Sequence, residues 1–206
     1  MIDIIIVHSE KTRLHTDECI QSINDNSTYN VNIIKMDADL YETFNYNKIL
    51  NDGAALGNNE YILFCNNDLY FHEQWDVNLI TAMKSNNLQS ASPLCESTYN
   101  KWWLKEQVPQ DVNFGNMPGK YFTGWCFCWT RSLWEKLKLD ETYQFWCSDN
   151  VTTDSLIANN IDHALIKSSR ITHKYSKTLS TITDKELKEE WTNVTLKKYL
   201  NSKKSI

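Results

Sequence analysis

The sequence predicts an α/β domain built on a mostly parallel sheet with helices on its faces, and three observations carry that prediction. Ile4-Ile5-Ile6-Val7 is an apolar, β-branched run without polar alternation, the pattern of a strand buried on both faces. Tyr46, Ile49, Leu50 and Gly53 recur at i, i+3, i+4 and i+7, so residues 43–57 read as an amphipathic helix. Tyr61 to Cys65 is a second apolar run, and it stops abruptly on Asn66-Asn67-Asp68. A buried strand that ends in polar side chains places them at the carboxyl edge of the sheet, where open α/β folds keep their ligands.

The first strand, Ile4 to Val7, is followed by His8-Ser9-Glu10 at its carboxyl end. Residues 16–24 form the first helix, with Asp17 and Glu18 near its positive end and Ile20 and Ile23 turned inward. Val31 to Met36 is the next strand and runs into Asp37-Ala38-Asp39. Gly53 falls inside the helix of residues 43–57, where it costs ~1 kcal/mol relative to alanine. A close approach to the sheet or to a ligand accounts for it, as does a merely tolerant position. After Asp68 the chain stays extended through Leu69 to Phe71, then forms a helix over residues 75–84 with Leu79, Ile80 and Met83 inward.

Ala91 to Leu94 is a short strand, and residues 95–120 show weak periodicity, the mark of a functional loop or of disorder, with the aromatic content counting against disorder. Tyr121 to Trp129 reads as a central strand followed by a helix to Lys138. A helix over residues 150–160 ends on Asn159-Asn160, suited to a left-handed cap. Leu165-Ile166 and Ser168 to Ile171 are extended, ahead of His173. Thr183 and Glu186 have capping-box spacing for a last helix, whose buried stripe is Leu187, Trp191 and Val194. The chain divides into 1–94, a ligand-binding half, 95–182, a second half completing the site, and 183–206, a terminal helix and tail.

At 206 residues with 41% hydrophobic and 23% charged residues, the chain suits one globular domain. A net charge of −5 argues against a broadly basic nucleic-acid surface. The apolar run near Met1 is too short for a secretory signal, and no stretch is long enough for a membrane span. Cys19, Cys65, Cys95, Cys126, Cys128 and Cys147 lie mostly in apolar segments, so reduced, buried thiols and a cytoplasmic location are expected. Nothing in the sequence sets an oligomeric state.

The order N-x-G-x-x-x-(small)-x-x-E-Y-(hydrophobic run)-N-x-D, from Asn51 through Gly53, Gly57, Glu60 and Tyr61 to Asn66 and Asp68, resembles the core of the family 2 nucleotide-sugar glycosyltransferases. Further on, Gly124, Arg131, Trp134 and Leu137, followed by Leu139-Asp140-Glu141, keep another of that family's patterns, and the resemblance spans roughly residues 2–178. It implies the GT-A fold, a Rossmann-like, mixed, mostly parallel sheet flanked by helices. It also implies a UDP-sugar donor, a Mn2+ or Mg2+ cofactor, and a glycan or other hydroxyl acceptor.

Residue by residue, the resemblance puts Val7, His8 and Ser9 beside the nucleobase, although the usual Pro-Thr-Tyr is missing there. Asp37 matches the carboxylate that accepts from uracil; an Asx turn closing its own loop is the other reading. Asn51, Gly53, Asn66, Asn67 and Asp68 match the donor side, though Asn51 also suits a cap or a packing role. Asp68 falls on the metal position, and His173, followed by Thr178, falls where a histidine closes over the pyrophosphate and joins the metal. Gly124 and Trp125 lie on the sugar side, with Trp102, Trp103 and Trp146 as aromatic acceptor contacts, since sugar faces stack on such rings.

Asp149 stands where the family has its catalytic Glu-Asp pair, with Ser148 in place of the Glu. As base it implies single-step, inverting transfer; an N-cap on the helix it precedes is the alternative. Two other functions fit the same residues. One is transfer to a hydroxymethylated base of DNA, as some phage transferases do. The other is a nucleotide-sugar-binding module that has lost catalysis, to which Ser148 and the altered first loop point.

Overall fold

The computed structural model describes residues 1–99, 108, 110–174 and 185–203. Its strands are β1 (Ile2–His8), β2 (Val31–Asp37), β3 (Tyr61–Cys65), β4 (Leu69–Phe71), β5 (Ser90–Cys95), β6 (Val112–Phe114), β7 (Cys126–Thr130) and β8 (His163–His173). They form one sheet in the order β2-β1-β3-β7-β5-β8-β4, with β6 also paired to β8. β1, β2, β3, β5 and β8 run one way, and β4, β6 and β7 run the other. The mixed, mostly parallel α/β sheet expected from the sequence is therefore present. β7 sits between β3 and β5, so strands from both halves of the chain interleave.

The helices are α1 (Arg13–Asn26), α2 (Tyr46–Leu56), α3 (Trp75–Ser85), α4 (Glu96–Tyr99), α5 (Arg131–Leu137), α6 (Ser148–Ala158) and α7 (Lys185–Lys203). On one face of the sheet Ile2, Ile4 and Ile6 join Leu63, Cys65 and Cys128 against Cys19 and Ile23 of α1 and Trp75, Leu79 and Met83 of α3. On the other, Ile5, Val7, Ile62, Phe64 and Trp129 meet Ile49, Leu50 and Ala54 of α2, Leu133 and Trp134 of α5 and Leu156 of α6. Burial on two faces explains why β1 carries apolar residues at consecutive positions.

Several expectations are corrected. α1 begins at Arg13, not at residue 16, so Asp17 and Glu18 lie beyond its first turn. β7 begins only at Cys126, because Thr123 turns back on itself: its Oγ1 donates to the Cys126 carbonyl at 2.6 Å and its N–H to Ser92 Oγ at 3.1 Å. The weakly periodic stretch holds α4 and β6, the latter antiparallel to the start of β8. β8 is one strand with a register shift opposite Pro93 and Leu94, not two pieces.

In α7 Val194 is 59% exposed, so the expected buried stripe does not include it. Among its described side chains, Tyr199 Oη donates to Asp154 Oδ2 at 3.1 Å, Lys203 pairs with the same carboxylate, and the Tyr199 ring meets Tyr143 edge-on. Thr183 lies outside the described residues, as do the side chains of Leu187 and Trp191. All six cysteines are free thiols, five of them buried. Among the described residues no helix is long and apolar enough to cross a membrane.

Candidate functional site

The strand ends bring the predicted residues to one edge. His8, last in β1, is in register with Asp37, last in β2, while Ile6 is opposite Cys65, last in β3. β7 runs the other way, so its first residue, Cys126, faces Cys65 and brings Gly124 and Trp125 to the same edge. β8 is parallel to β5, so its end, His173, arrives there too.

The turn after β3 is tied on every side. Asn66 donates its N–H to the Trp125 carbonyl at 2.9 Å and accepts from Tyr46 Oη at 2.7 Å. Asn67 is buried and donates from Nδ2 to Thr12 Oγ1 at 2.8 Å and Thr16 Oγ1 at 3.0 Å, which ties the turn to the start of α1. Asp68 is 1% exposed, and its Oδ1 lies 3.1 Å from His173 Nε2. The Trp125 ring stacks on His173, with centroids 5.6 Å apart and planes 18° from parallel. Asp68 and His173 are 105 positions apart in the chain and meet because β4, which follows Asp68 at once, pairs with the end of β8.

The two atoms are in direct hydrogen-bond contact, and a carboxylate oxygen and an imidazole nitrogen are both atoms that could also hold a divalent cation. Adjacent ligands of an octahedral Mg2+- or Mn2+-type ion at ~2.1 Å are ~3 Å apart, close to the 3.1 Å between Asp68 Oδ1 and His173 Nε2. Among the described residues no group of three or more His, Cys, Asp or Glu is arranged to hold a metal. Such an ion would therefore take two protein ligands here and complete its shell with water and ligand oxygens, the usual habit of Mg2+ beside phosphates.

Asp149 is the second residue of α6. The cap position is Cys147, in the left-handed region at φ 62° and without a side-chain capping bond, so Asp149 is not the N-cap. Its Oδ1 accepts the Asn150 N–H at 2.9 Å. Burial raises its pKa above the ordinary carboxylate value, and that backbone bond opposes the rise only in part. Gly124 packs directly on it, since a Cβ there would lie 2.9 Å from Asp149 Cβ. Ser148 donates from Oγ to Asn47 Oδ1 at 2.6 Å. The indole N–H groups of Trp125 and Trp146 are buried with no acceptor among the described residues.

Other predicted residues make contacts within the fold. Val7 is buried in the core under α2. Asn51, expected beside the donor, is 5% exposed, and its amide is fully engaged. It accepts from Trp134 Nε1 at 3.1 Å and the Leu139 N–H at 3.0 Å, and donates to the Leu139 carbonyl and Glu141 Oε1, both at 2.9 Å. Gly53 faces the sheet, since a Cβ there would lie 2.5 Å from Ile5 Cγ2 and 2.9 Å from Met36 Cγ.

Asp37 forms the Asx turn, accepting the Asp39 N–H at 3.0 Å, and Ser9 is occupied with Thr12. Trp102, Trp103 and Thr178 lie outside the described residues. Sequence reasoning missed Tyr46, Asn47, Thr12 and Thr16. Tyr46 was legible only as part of an apolar stripe, but a buried tyrosine hydroxyl needs a partner, and that was the available signal.

No protein-family model matches the chain, and no curated protein matches it. Among solved structures, the chain is similar to residues 1–349 of S. aureus TarS, a glycosyltransferase, with a TM-score of 0.63 and 11% identity. The match covers 82% of this chain and 59% of that one, so the chain spans well under two thirds of that structure's length. The likeness shows a shared, glycosyltransferase-like fold.

Proposed function

We propose that this protein transfers a sugar from a UDP-sugar to a hydroxyl acceptor, with a divalent cation and with inversion at the anomeric carbon. The observation that carries the reading is the convergence, at one carboxyl edge of a glycosyltransferase-like fold, of Asp68 against His173 and of Asp149 against Gly124. Mn2+ or Mg2+ on Asp68 and His173 would offset the charge that develops on the departing diphosphate. Asp149 takes the proton of the acceptor hydroxyl, whose oxygen attacks the anomeric carbon as the bond to the diphosphate oxygen breaks. A carboxylate whose pKa is raised by burial is a stronger base than a solvated one, and this supports Asp149 in that role. Trp125, stacked on His173, and Trp146 supply aromatic surface on which a sugar face could pack.

Calorimetric titration with UDP, with and without Mn2+, tests the donor site, and UDP release from UDP-glucose, UDP-galactose and UDP-N-acetylglucosamine tests turnover. Asp68→Ala should abolish the Mn2+-linked part of UDP affinity; an unchanged Mn2+ dependence removes the metal assignment. Asp149→Asn should fold and bind UDP but lose ~10²–10⁴-fold in turnover, and a wild-type rate rules it out as the base. UDP binding without any turnover in the wild type would identify a binding module that has lost catalysis.

A further inference from the structure

The most densely bonded polar feature near the site is the first turn of α2, which none of the motifs singled out. Tyr46 and Asn47 are adjacent, 9% and 1% exposed, and reach in different directions. Tyr46 Oη donates to Asn66 Oδ1 at 2.7 Å, two residues before Asp68. Asn47 Oδ1 accepts from Ser148 Oγ at 2.6 Å, one residue before Asp149. The same turn holds the segment leading into α6: the Tyr46 N–H donates to the Gln144 carbonyl at 2.6 Å, Asn47 Nδ2 to the Asp140 carbonyl at 2.7 Å, and Asn45 Nδ2 to the Glu141 carbonyl at 2.8 Å. The Tyr46 ring also meets Phe145 edge-on at 5.9 Å.

From this geometry, and resting on the function proposed above, we infer that Tyr46, Asn47 and Ser148 are positioning residues that set the donor-side turn and Asp149 in register through one rigid helical turn. Apolar packing alone would hold two segments together, but it does not fix direction. Hydroxyl bonds, here 2.6 and 2.7 Å long, do, because they weaken steeply with angle. Register matters at this point because a misplacement of ~1 Å between reacting groups costs ~10²-fold in rate. The arrangement also gives Ser148 a role of its own: a hydroxyl short enough to bond Asn47 locks the first turn of α6, where the family resemblance expects a Glu.

The test separates binding from turnover. In Ser148→Ala, affinity for UDP with Mn2+ should stay within ~2-fold while the rate of UDP-glucose hydrolysis falls ~10-fold or more, and Ser148→Thr, which restores a hydroxyl, should recover most of that rate. Tyr46→Phe keeps the ring and loses one hydroxyl; it should weaken UDP–Mn2+ affinity ~3- to 10-fold. Residues with a purely structural role would lower the melting temperature and leave both constants of the folded protein unchanged. A competent wild type whose Ser148→Ala and Tyr46→Phe variants keep wild-type rate and affinity overturns the inference and leaves the proposed function standing. A wild type that neither binds UDP nor hydrolyses the donor removes both. Should Ser148→Ala not fold, Tyr46→Phe decides alone.

Discussion

Two titratable side chains, His163 fully buried and Asp149 partly so, have their pKa values moved in opposite directions by the same desolvation. His163 is fully buried, and its Nε2 lies 3.2 Å from the Tyr121 carbonyl, which can only accept, so Nε2 carries the proton and Nδ1 accepts from Ser90 Oγ at 2.7 Å. Burial pushes its pKa down to about 3, against the smaller opposing effect of the Tyr121 carbonyl. The native state thus keeps His163 neutral while the unfolded chain protonates it near 6.5. Its contribution is complete above that value and is lost as pH falls toward 3, on the order of a few kcal/mol. In His163→Gln the acid slope of unfolding free energy across that window should shrink by about one proton, measured by urea denaturation at a series of pH values. Burial raises the Asp149 pKa instead, so its proposed role as base predicts an acid limb of UDP-sugar hydrolysis above the ordinary carboxylate value of 3.8, with activity falling as pH drops, read from a pH–rate profile.

At the scale of elements, α2 is where sequence and structure diverge most usefully. Its apolar stripe was legible from spacing, and Ile49, Leu50 and Ala54 do face the sheet. Asn51 and Gly53 match a ligand-binding motif, yet one locks the segment after α5 and the other lets the helix lie close on β1 and β2. Gly53→Ala would gain ~1 kcal/mol in helix propensity but drive a methyl against Ile5 and Met36, an overpacking that costs ~1–3 kcal/mol. A net loss is expected in the denaturation midpoint, with UDP affinity of the folded protein unchanged. Reduced UDP affinity in folded Gly53→Ala would return Gly53 to the donor site. β4, only three residues long, shows the limit of periodicity as a guide. Its sequence indicates an extended segment, but nothing local specifies pairing with the end of β8, the contact that seats His173 on Asp68.

For the whole molecule, the sheet has two differently used edges. Opposite the candidate site, Arg131 donates to buried Asp3 at 2.7 Å, to the Asn59 carbonyl at 2.7 Å and to the Ala54 carbonyl at 3.0 Å, fastening β1, α2, the loop before β3 and α5 together. Burial alone would raise the Asp3 pKa, but bonds from Asn32, Asn59 and Arg131 outweigh it and hold the carboxyl below its ordinary value. Arg131→Met removes the charge partner of that carboxylate, leaving it the Asn32 and Asn59 donors, and should cost ~3 kcal/mol, read as a lower denaturation midpoint, while UDP affinity of the remaining folded protein stays as in the wild type. A matching loss of UDP affinity would mean that this edge and the site are not independent.

The fold class, most strand and helix cores, and the placement of Asn66 to Asp68 at a sheet edge follow from the sequence by itself, because burial periodicity and chain breaks are local and leave their mark residue by residue. Which polar side chains share that edge is another matter. The family resemblance already set Asp68 and His173 side by side, but the contacts of Gly124 with Asp149, and of Asn66 and Ser148 with α2, are assembled by strand order and register. Only the tertiary structure decides these, since each depends on contacts between segments whose sequences carry no record of one another. The same holds for Asn51, whose buried amide bonds every group it can reach within the fold.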